Sequence, residues 1–414
     1  MSHGITLRAR HILPMASPPL ENGWIRIERG RIVALGRREP PGHAVDLGDA
    51  IVLPGLVNAH THLEFSDLPA PLSGEGGLPG WIGRVVALRR ARPSGPAEVT
   101  RLRKAVAAGL RETAAAGVTS VGDIATAALP APAATIGPRV RAYREALGLS
   151  SAANGDHGLA RDLDRLAAAG FQTGISPHAP YSVAVPLGRR LLREARRRRL
   201  PVAMHLAESR EEAELLATGS GGFRRLLEDL GAWDAADPPR LLAIADWISL
   251  LARSPRGIVV HGTFLPEDPP AIARLSRHRD RLGVVVCPRT TQSLSGTLPP
   301  VAAFRAAGIR VAIGTDSRAS NPDLGVLAEC RTLVAGGLAS PADALAMATR
   351  HGAWALLRER RAGILAPGRP ADLAILRPAG RHDDPHGAAI DPATQVVATL
   401  RSGRVIAGAL PEPR

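Results

Sequence analysis

Two of the chain's 13 histidines, His60 and His62, stand one residue apart in the stretch NAHTHLEF, directly after the apolar run IVLPGLV (51–57). Along an extended strand, side chains i and i+2 share a face about 7 Å apart at the backbone. That spacing suits two imidazoles converging on one cation. A His-x-His placed in a loop by chance has the same spelling, so the pair alone decides nothing. Other apolar runs, however, end the same way. Gly174-Ile175-Ser176 leads into Pro177-His178-Ala179-Pro180-Tyr181, and Val202-Ala203-Met204 leads into His205, with Glu208 three positions on. Val259-Val260 is followed by His261, and Val311-Ala312-Ile313 by Gly314-Thr315-Asp316. Singly, each of these reads as a hydrogen-bonded loop residue. Five chemistry-bearing strand ends in one chain read together as a metal site, because imidazoles and a carboxylate are the donor types that borderline divalent cations select.

The elements that would position these residues follow a rhythm. From about residue 56 to 360, short β-like runs alternate with longer Ala/Leu/Arg segments at helical spacing, and several runs follow Ala-Gly, a helix stop before a strand. The runs include Val118-Thr119-Ser120-Val121, Gly283-Val284-Val285-Val286 and a weaker one near Val140. Eight such units predict an α/β fold, a closed (β/α)8 TIM barrel, whose working residues gather at the C-terminal ends of the strands. The ends of the chain differ. Trp24-Ile25-Arg26-Ile27-Glu28 and Arg31-Ile32-Val33-Ala34 alternate around a turn at Arg29-Gly30, and Arg401-Ser402-Gly403-Arg404-Val405-Ile406-Ala407 repeats the theme. Neither hairpin makes a core alone. The expectation is a small β-sandwich domain built from both termini, residues 1–55 and 363–414, beside a barrel over 56–362, with LAPGRPADLAIL (365–376) as the return into it.

Composition narrows the function classes. The chain has 414 residues, 45% hydrophobic and 22% charged, as ordinary globular proteins do. A net charge of +14 invites a nucleic-acid reading, yet Lys104 is the only lysine, so the charge is arginine in an Ala/Gly/Pro-rich chain. The densest run, Arg193-Glu194-Ala195-Arg196-Arg197-Arg198-Arg199, falls at the end of a helical stretch, where solvated arginines complement the helix dipole. No aromatics interleave there to stack bases, so no nucleic-acid partner is expected. No 18-residue uncharged apolar run occurs, and MSHGITLRARHILPM lacks the apolar core of a secretory signal. With only Cys287 and Cys330, a cytoplasmic location is the expectation, with neither a disulfide framework nor a membrane partner.

Taken together, PGLVNAHTHLEF, SPHAPYSV, MHLAES, VVHGTF and IGTDSRASNPDLGVLAE resemble the metal-dependent amidohydrolase superfamily over nearly the whole chain, including the terminal GILAPGRPADLAIL. HLAE, and GTD followed by a Ser/Asn-rich loop, are similar to the deaminase and chlorohydrolase branch (cytosine, guanine, adenosine-type and triazine aminohydrolases). The NAHTHLEF…PGWI loop with SPHAPYSV is most similar to the aminodeoxyfutalosine deaminases and their bacterial relatives. The resemblance implies one divalent cation per chain, Zn2+ or else Fe2+, held by His60, His62, His205 and Asp316. Such a cation lowers the pKa of a water to about 7. Asp316 would also accept a proton, His261 would orient the nucleophile, and Glu208 would protonate a ring nitrogen of a small heterocyclic substrate. Members with two bridged metals carry a carboxylated lysine after strand four; here strand four ends in SPHAP and Lys104 lies before strand two, which implies a single metal. The implied activity is hydrolytic release of ammonia from a C–NH2 group of a purine-like or nucleoside-like heterocycle. The alternatives are hydrolysis of another C–N or C–Cl bond and a non-catalytic barrel.

Outside that group the reading thins. His178 is expected to face the substrate. Trp81 and Glu75, in PLSGEGGLPGWIGRVV, stand on the loop that covers the substrate in this branch, and a Trp that simply holds the loop down would look alike. Arg318 and Asn321 would read substrate polar groups or serve a turn. VCPRTTQSL departs from the branch's usual CPRSN at Thr290 and Thr291. A homodimer is compatible with such barrels, though no interface is legible.

Overall fold

The computed structural model describes residues 4–40, 42–126, 137–149, 158–236, 238–380 and 383–411. The chain opens with β1 (Ile5–Ile12), β2 (Leu20–Glu28), β3 (Arg31–Arg37), β4 (Val45–Asp46) and β5 (Ile51–Pro54). In β2, Ile25 and Ile27 point inward while Arg26 and Glu28 pair outside at 2.7 Å, the period-two pattern of a strand with one dry face. After a single glycine the chain re-enters as β6 (Leu56–Thr61), then β7 (Val118–Ala125), β8 (Arg139–Ala146), β9 (Gln172–Pro177), β10 (Val202–Leu206), β11 (Gly257–His261), β12 (Leu282–Val286) and β13 (Arg310–Ile313). These eight run parallel in sequence order. Their burial on both faces explains why most read as unbroken apolar runs. The chain returns through β14 (Leu373–Arg377), β15 (Gln395–Arg401) and β16 (Arg404–Gly408).

The barrel closes where β6 meets the segment after β13. Thr61 and Asp316 form a parallel bridge, and the His60 carbonyl accepts from the Thr315 and Asp316 N–H groups at 3.0 and 3.1 Å. Gly314 lies so close that a β-carbon there would sit 2.7 Å from the His60 oxygen. Inside, Val57, Ala59, Ile124, Tyr143, Ile258, Val260 and Val285 fill the barrel. Its N-terminal mouth is plugged by Leu356 and by Trp354, whose ring lies between the guanidinium groups of Arg256 and Arg310 at 3.7 and 4.2 Å.

The terminal strands share one eight-stranded sheet, ordered β16-β15-β14-β5-β1-β2-β3 with β4 on β1. β3 is also tied to the segment leading into β14, since Ile32 N–H donates to the Arg369 carbonyl and Gly368 N–H to that of Ile32. The sheet thus wraps a core of its own around Leu7, Ile25, Ile32, Val52, Leu373 and Leu400. Terminal residues 1–3 and 412–414 lie outside the described residues. Among the described residues no helix is long and apolar enough to cross a membrane, and both cysteines are free and buried.

Between β6 and β7 the chain forms two helices, α1 (Gly77–Ala91) and α2 (Gly95–Ala115). Helix α2 buries Leu102, Ala105, Val106, Gly109, Leu110 and Thr113, the three-and-four spacing of an amphipathic face.

Candidate active site

The seam that closes the barrel also builds the site. Asn58, inside the opening NAHTH, donates from Nδ2 to Thr315 Oγ1 (2.7 Å) and accepts from Thr315 N–H (3.1 Å). Thr61 Oγ1 donates to the Asp316 carbonyl at 2.6 Å. His60 and His62, from the first barrel strand, are thereby locked to Asp316, beyond the last. His60 Nε2 and His62 Nε2 each lie 3.5 Å from Asp316 Oδ1. His62 Nε2 lies 3.4 Å from His205 Nε2 at the end of β10. Two overlapping groups of potential ligand atoms result, His60–His62–Asp316 and His60–His205–His261, with each group's atoms within 4.8 Å of one another.

Glu208 is set by its neighbours. Ser209 caps the helix Arg210–Thr218 by accepting from Glu212 N–H, and Glu212 reaches back to accept from Glu208 N–H at 2.9 Å, a capping box displaced by one residue. Glu208 Oε1 then lies 3.4 Å from His261 Nε2. Three non-glycine residues here hold left-handed backbone: Ala207 (φ 53°), His261 (φ 65°) and Asp316 (φ 54°). Each follows or ends a barrel strand. Such strain persists where surrounding contacts over-determine it, and it clusters at functional sites.

Burial sets the protonation states. It pushes the His60 and His178 imidazoles down to about 3 and holds His62, His205 and His261 well below the usual range, so all five are neutral at pH 7. Burial, then the nearby Asp316 and Glu212, pushes the Glu208 carboxyl well above the usual carboxylate range. His205 Nδ1–H donates to the His178 carbonyl (3.0 Å), which leaves the Nε2 lone pair free for the site. Ser182 Oγ donates to the Ala179 carbonyl (3.2 Å) and so accepts from His178 Nδ1–H (2.6 Å), leaving His178 Nε2 as an acceptor.

A divalent cation fits this donor set. Both ring nitrogens of buried His60 and Nδ1 of buried His62 have no hydrogen-bond partner. Buried polar atoms are nearly always satisfied, and neutral imidazoles beside a carboxylate are the ligands zinc and iron take.

The site opens into a cavity of about 360 Å3. His62, His178, His205, Glu208, His261 and Asp316 line its floor, and its walls are mainly apolar: Phe65, Trp81, Ile82, Val85 and Val86, Leu147 and Leu149, Leu226, Leu227 and Leu230. Trp81, on α1, both lines the cavity and fastens the helix, donating from Nε1 to the Ala319 carbonyl at 3.0 Å. Arg318 and Asn321, expected at the substrate, are not brought to the cavity wall. Arg318 is taken up by Glu112 of α2 (3.1 Å) and the Leu68 carbonyl (3.0 Å). Asn321, fully buried, spends its amide on the Thr315 carbonyl (2.8 Å) and Glu329 (2.6 Å), bracing the backbone ahead of Asp316. Thr290 and Thr291 are buried beneath the site, with Thr290 near Ser320, which donates to Asp316 Oδ2 at 2.5 Å.

Residues the motifs did not single out also face the cavity. Tyr181 and Ser182 stand within SPHAPYSV, where their neighbour His178 drew the attention, and Tyr181 stacks on Phe223 at 4.2 Å. Arg89, one arginine among many in the sequence, reaches the wall from α1 and is held by Glu64 at 2.5 Å.

Comparison with known proteins bears on the fold and the family. The profile of the amidohydrolase family matches residues 51–406. The chain is 29% identical over 399 residues to a 5-methylthioadenosine/S-adenosylhomocysteine deaminase of Shouchella clausii, covering 89% of this chain and 84% of that one. In fold it is similar to the Helicobacter pylori aminofutalosine deaminase solved with methylthio-coformycin (TM-score 0.83, 22% identity, 97% and 100% covered). It is also similar to an adenosine deaminase from Xanthomonas campestris solved with bound zinc (TM-score 0.74, 24% identity, 97% and 92% covered).

Proposed function

The chain belongs to the amidohydrolase family, and on that footing we propose that it is a hydrolytic deaminase. It exchanges the amine on a ring carbon of a purine-like or nucleoside-like heterocycle for oxygen and releases ammonia. The observation that carries this reading is Glu208, a carboxyl that burial pushes well above the usual carboxylate range, on the cavity floor beside His261. Plain amide hydrolysis has no ring nitrogen to protonate; an amidine-like ring does, and a retained carboxyl proton is what it needs. The deaminases among the relatives support the same choice.

One divalent cation held by His60, His62, His205 and Asp316, zinc before iron, would supply the Lewis acidity that makes water nucleophilic at pH 7. The remaining work falls to the chain. Asp316 takes the proton from the attacking water. Glu208 gives its proton to the ring nitrogen beside the amine-bearing carbon and recovers one from the hydroxyl newly bound to that carbon, while Asp316 passes the water proton to the departing amine, so that ammonia leaves and the ring keeps the oxygen. His261 holds Glu208 and the nucleophile in line. His178, with a lone pair on Nε2, accepts from a substrate N–H, and the apolar walls exclude competing water. In this reading residues 56–362 carry the chemistry, while 1–55 and 363–414 form the supporting sheet.

The test is ammonia release from adenine-, guanine-, cytosine- and triazine-type amines by zinc-loaded protein. Glu208→Gln is expected to keep its cation and lose about 10²- to 10⁴-fold in rate, whereas His62→Ala loses both. Near-full activity in Glu208→Gln would refute the acid assignment. Silence across the panel, with one tightly bound cation, would redirect the search to other leaving groups.

A further inference from the structure

A third group of ligand atoms lies beside the two already described. Glu145 stands near the end of β8, His178 follows β9 and His205 lies on β10, so three consecutive strands present them at the same end of the barrel. One carboxylate oxygen of Glu145 and one ring nitrogen from each histidine lie within 4.8 Å of one another. A common centre for three atoms that close is within about 2.8 Å of each. Side-chain adjustments of under about one ångström therefore reach zinc bonding distance.

The Glu145 side chain is 0% exposed, and neither of its oxygens has a hydrogen-bond partner. Of its neighbouring cations, Arg89 is 4.0 Å away and is committed to Glu64 at 2.5 Å, and Arg144 pairs with Asp162 at 2.9 Å. A carboxylate buried without a partner is costly, and here it faces a ring nitrogen of each of two imidazoles.

We propose that Glu145, His178 and His205 form an accessory site for a second divalent cation of the zinc class. His205 is the ligand both sites want. Its Nδ1–H is committed to the His178 carbonyl, so the Nε2 lone pair, 3.4 Å from His62 Nε2, serves one cation at a time. The accessory site fills after the first, because Arg89 opposes a cation there. Filling it draws His205 away from Asp316 and covers His178 on the cavity floor, so excess cation inhibits.

The test counts ions and needs no substrate, so a failure to find deaminase activity would leave it intact. Metal-free protein is dialysed against rising zinc and the bound zinc per chain is measured. The wild type is expected to take up two ions, the second more weakly. Glu145→Gln is expected to keep the first and lose the second. Glu145→Leu serves as a second variant; it removes a carboxyl that has no partner to miss. One ion in the wild type at saturation, or two in both variants, would overturn the site. Where ammonia release is measured, zinc sufficient to fill the second site should lower the rate at least several-fold in the wild type but not in Glu145→Gln. An unchanged wild-type rate would overturn the sharing of His205.

Discussion

Glu145 offers a sharp test of the electrostatics of this barrel. Burial, opposed by Arg89 and assisted by Glu64, pushes its carboxyl up to about 7 from an ordinary 4.5. In the unfolded chain the group ionises near the ordinary value. Between the two values the native state therefore holds a proton that the unfolded state has lost, and stability falls as pH rises through that window. Below about 4.5 both states are protonated and the group contributes nothing; above about 7 the loss is complete. At 1.36 kcal/mol per unit, the full penalty is about 3 kcal/mol. Glutamine has nearly the same shape and cannot ionise. In chelated, cation-free protein, Glu145→Gln should match the wild type near pH 4 and exceed it by about 1–3 kcal/mol near pH 8. Urea unfolding followed by circular dichroism across that range measures the difference, and other buried carboxyls, such as Glu212 and Glu329, cancel from it. A difference that stays flat with pH, or that grows toward acid, would refute the reasoning.

Three further outcomes rest on contacts at the site. Gly314→Ala places a methyl group 2.7 Å from the His60 carbonyl oxygen and 2.8 Å from its Cβ; it should cost about 1–3 kcal/mol by overpacking and weaken zinc uptake, read by thermal unfolding and zinc titration. Trp81→Phe keeps the ring in the cavity wall but loses the N–H bond to Ala319. Steady-state kinetics should show KM rising more than kcat, and an unchanged KM would mean that α1 is not fastened by this bond. Asn321→Ala leaves Glu329 and the Thr315 carbonyl short of a donor inside the fold. About 1–3 kcal/mol should be lost in urea unfolding, and a neutral result would show the network is not needed.

The barrel and the histidine–aspartate cluster at its strand ends were legible because both repeat a local rule. An apolar run that stops at a polar residue marks a strand and its functional end together, so His60, His205, His261 and Asp316 announce themselves. β8 was faint for the opposite reason: RVRAYREA interleaves arginines with its apolar residues. That camouflage also hid Glu145, whose meaning depends on its neighbours on β9 and β10. Arg318 and Asn321 sit in a Ser/Asn-rich loop that fits either role. What decides between the roles is Glu112, 206 residues away, and Glu329 on a later helix. A partner as distant as Glu112 leaves no periodic trace, and Glu329 lies beyond the loop on a helix of its own. Arg89 was invisible because 51 arginines share one composition bias and only the fold selects one for the cavity wall.

The closure of β6 on the segment after β13 has a consequence for how the molecule is made. His60 and His62 emerge early in synthesis, yet the groups that hold them, Asn58 with Thr315 and Thr61 with Asp316, are more than 250 residues apart. On the proposed ligand set, no amino-terminal fragment can hold a cation until the last barrel strand has been added. Contacts of such range are slow to form, and a cation held by the proposed ligands would work as a clasp on the whole ring. The Thr315 and Asp316 amides, which donate to His60, should therefore be the barrel protons that exchange fastest when zinc is withdrawn and are slowed most when it returns. If their exchange is indifferent to zinc, the clasp is not there.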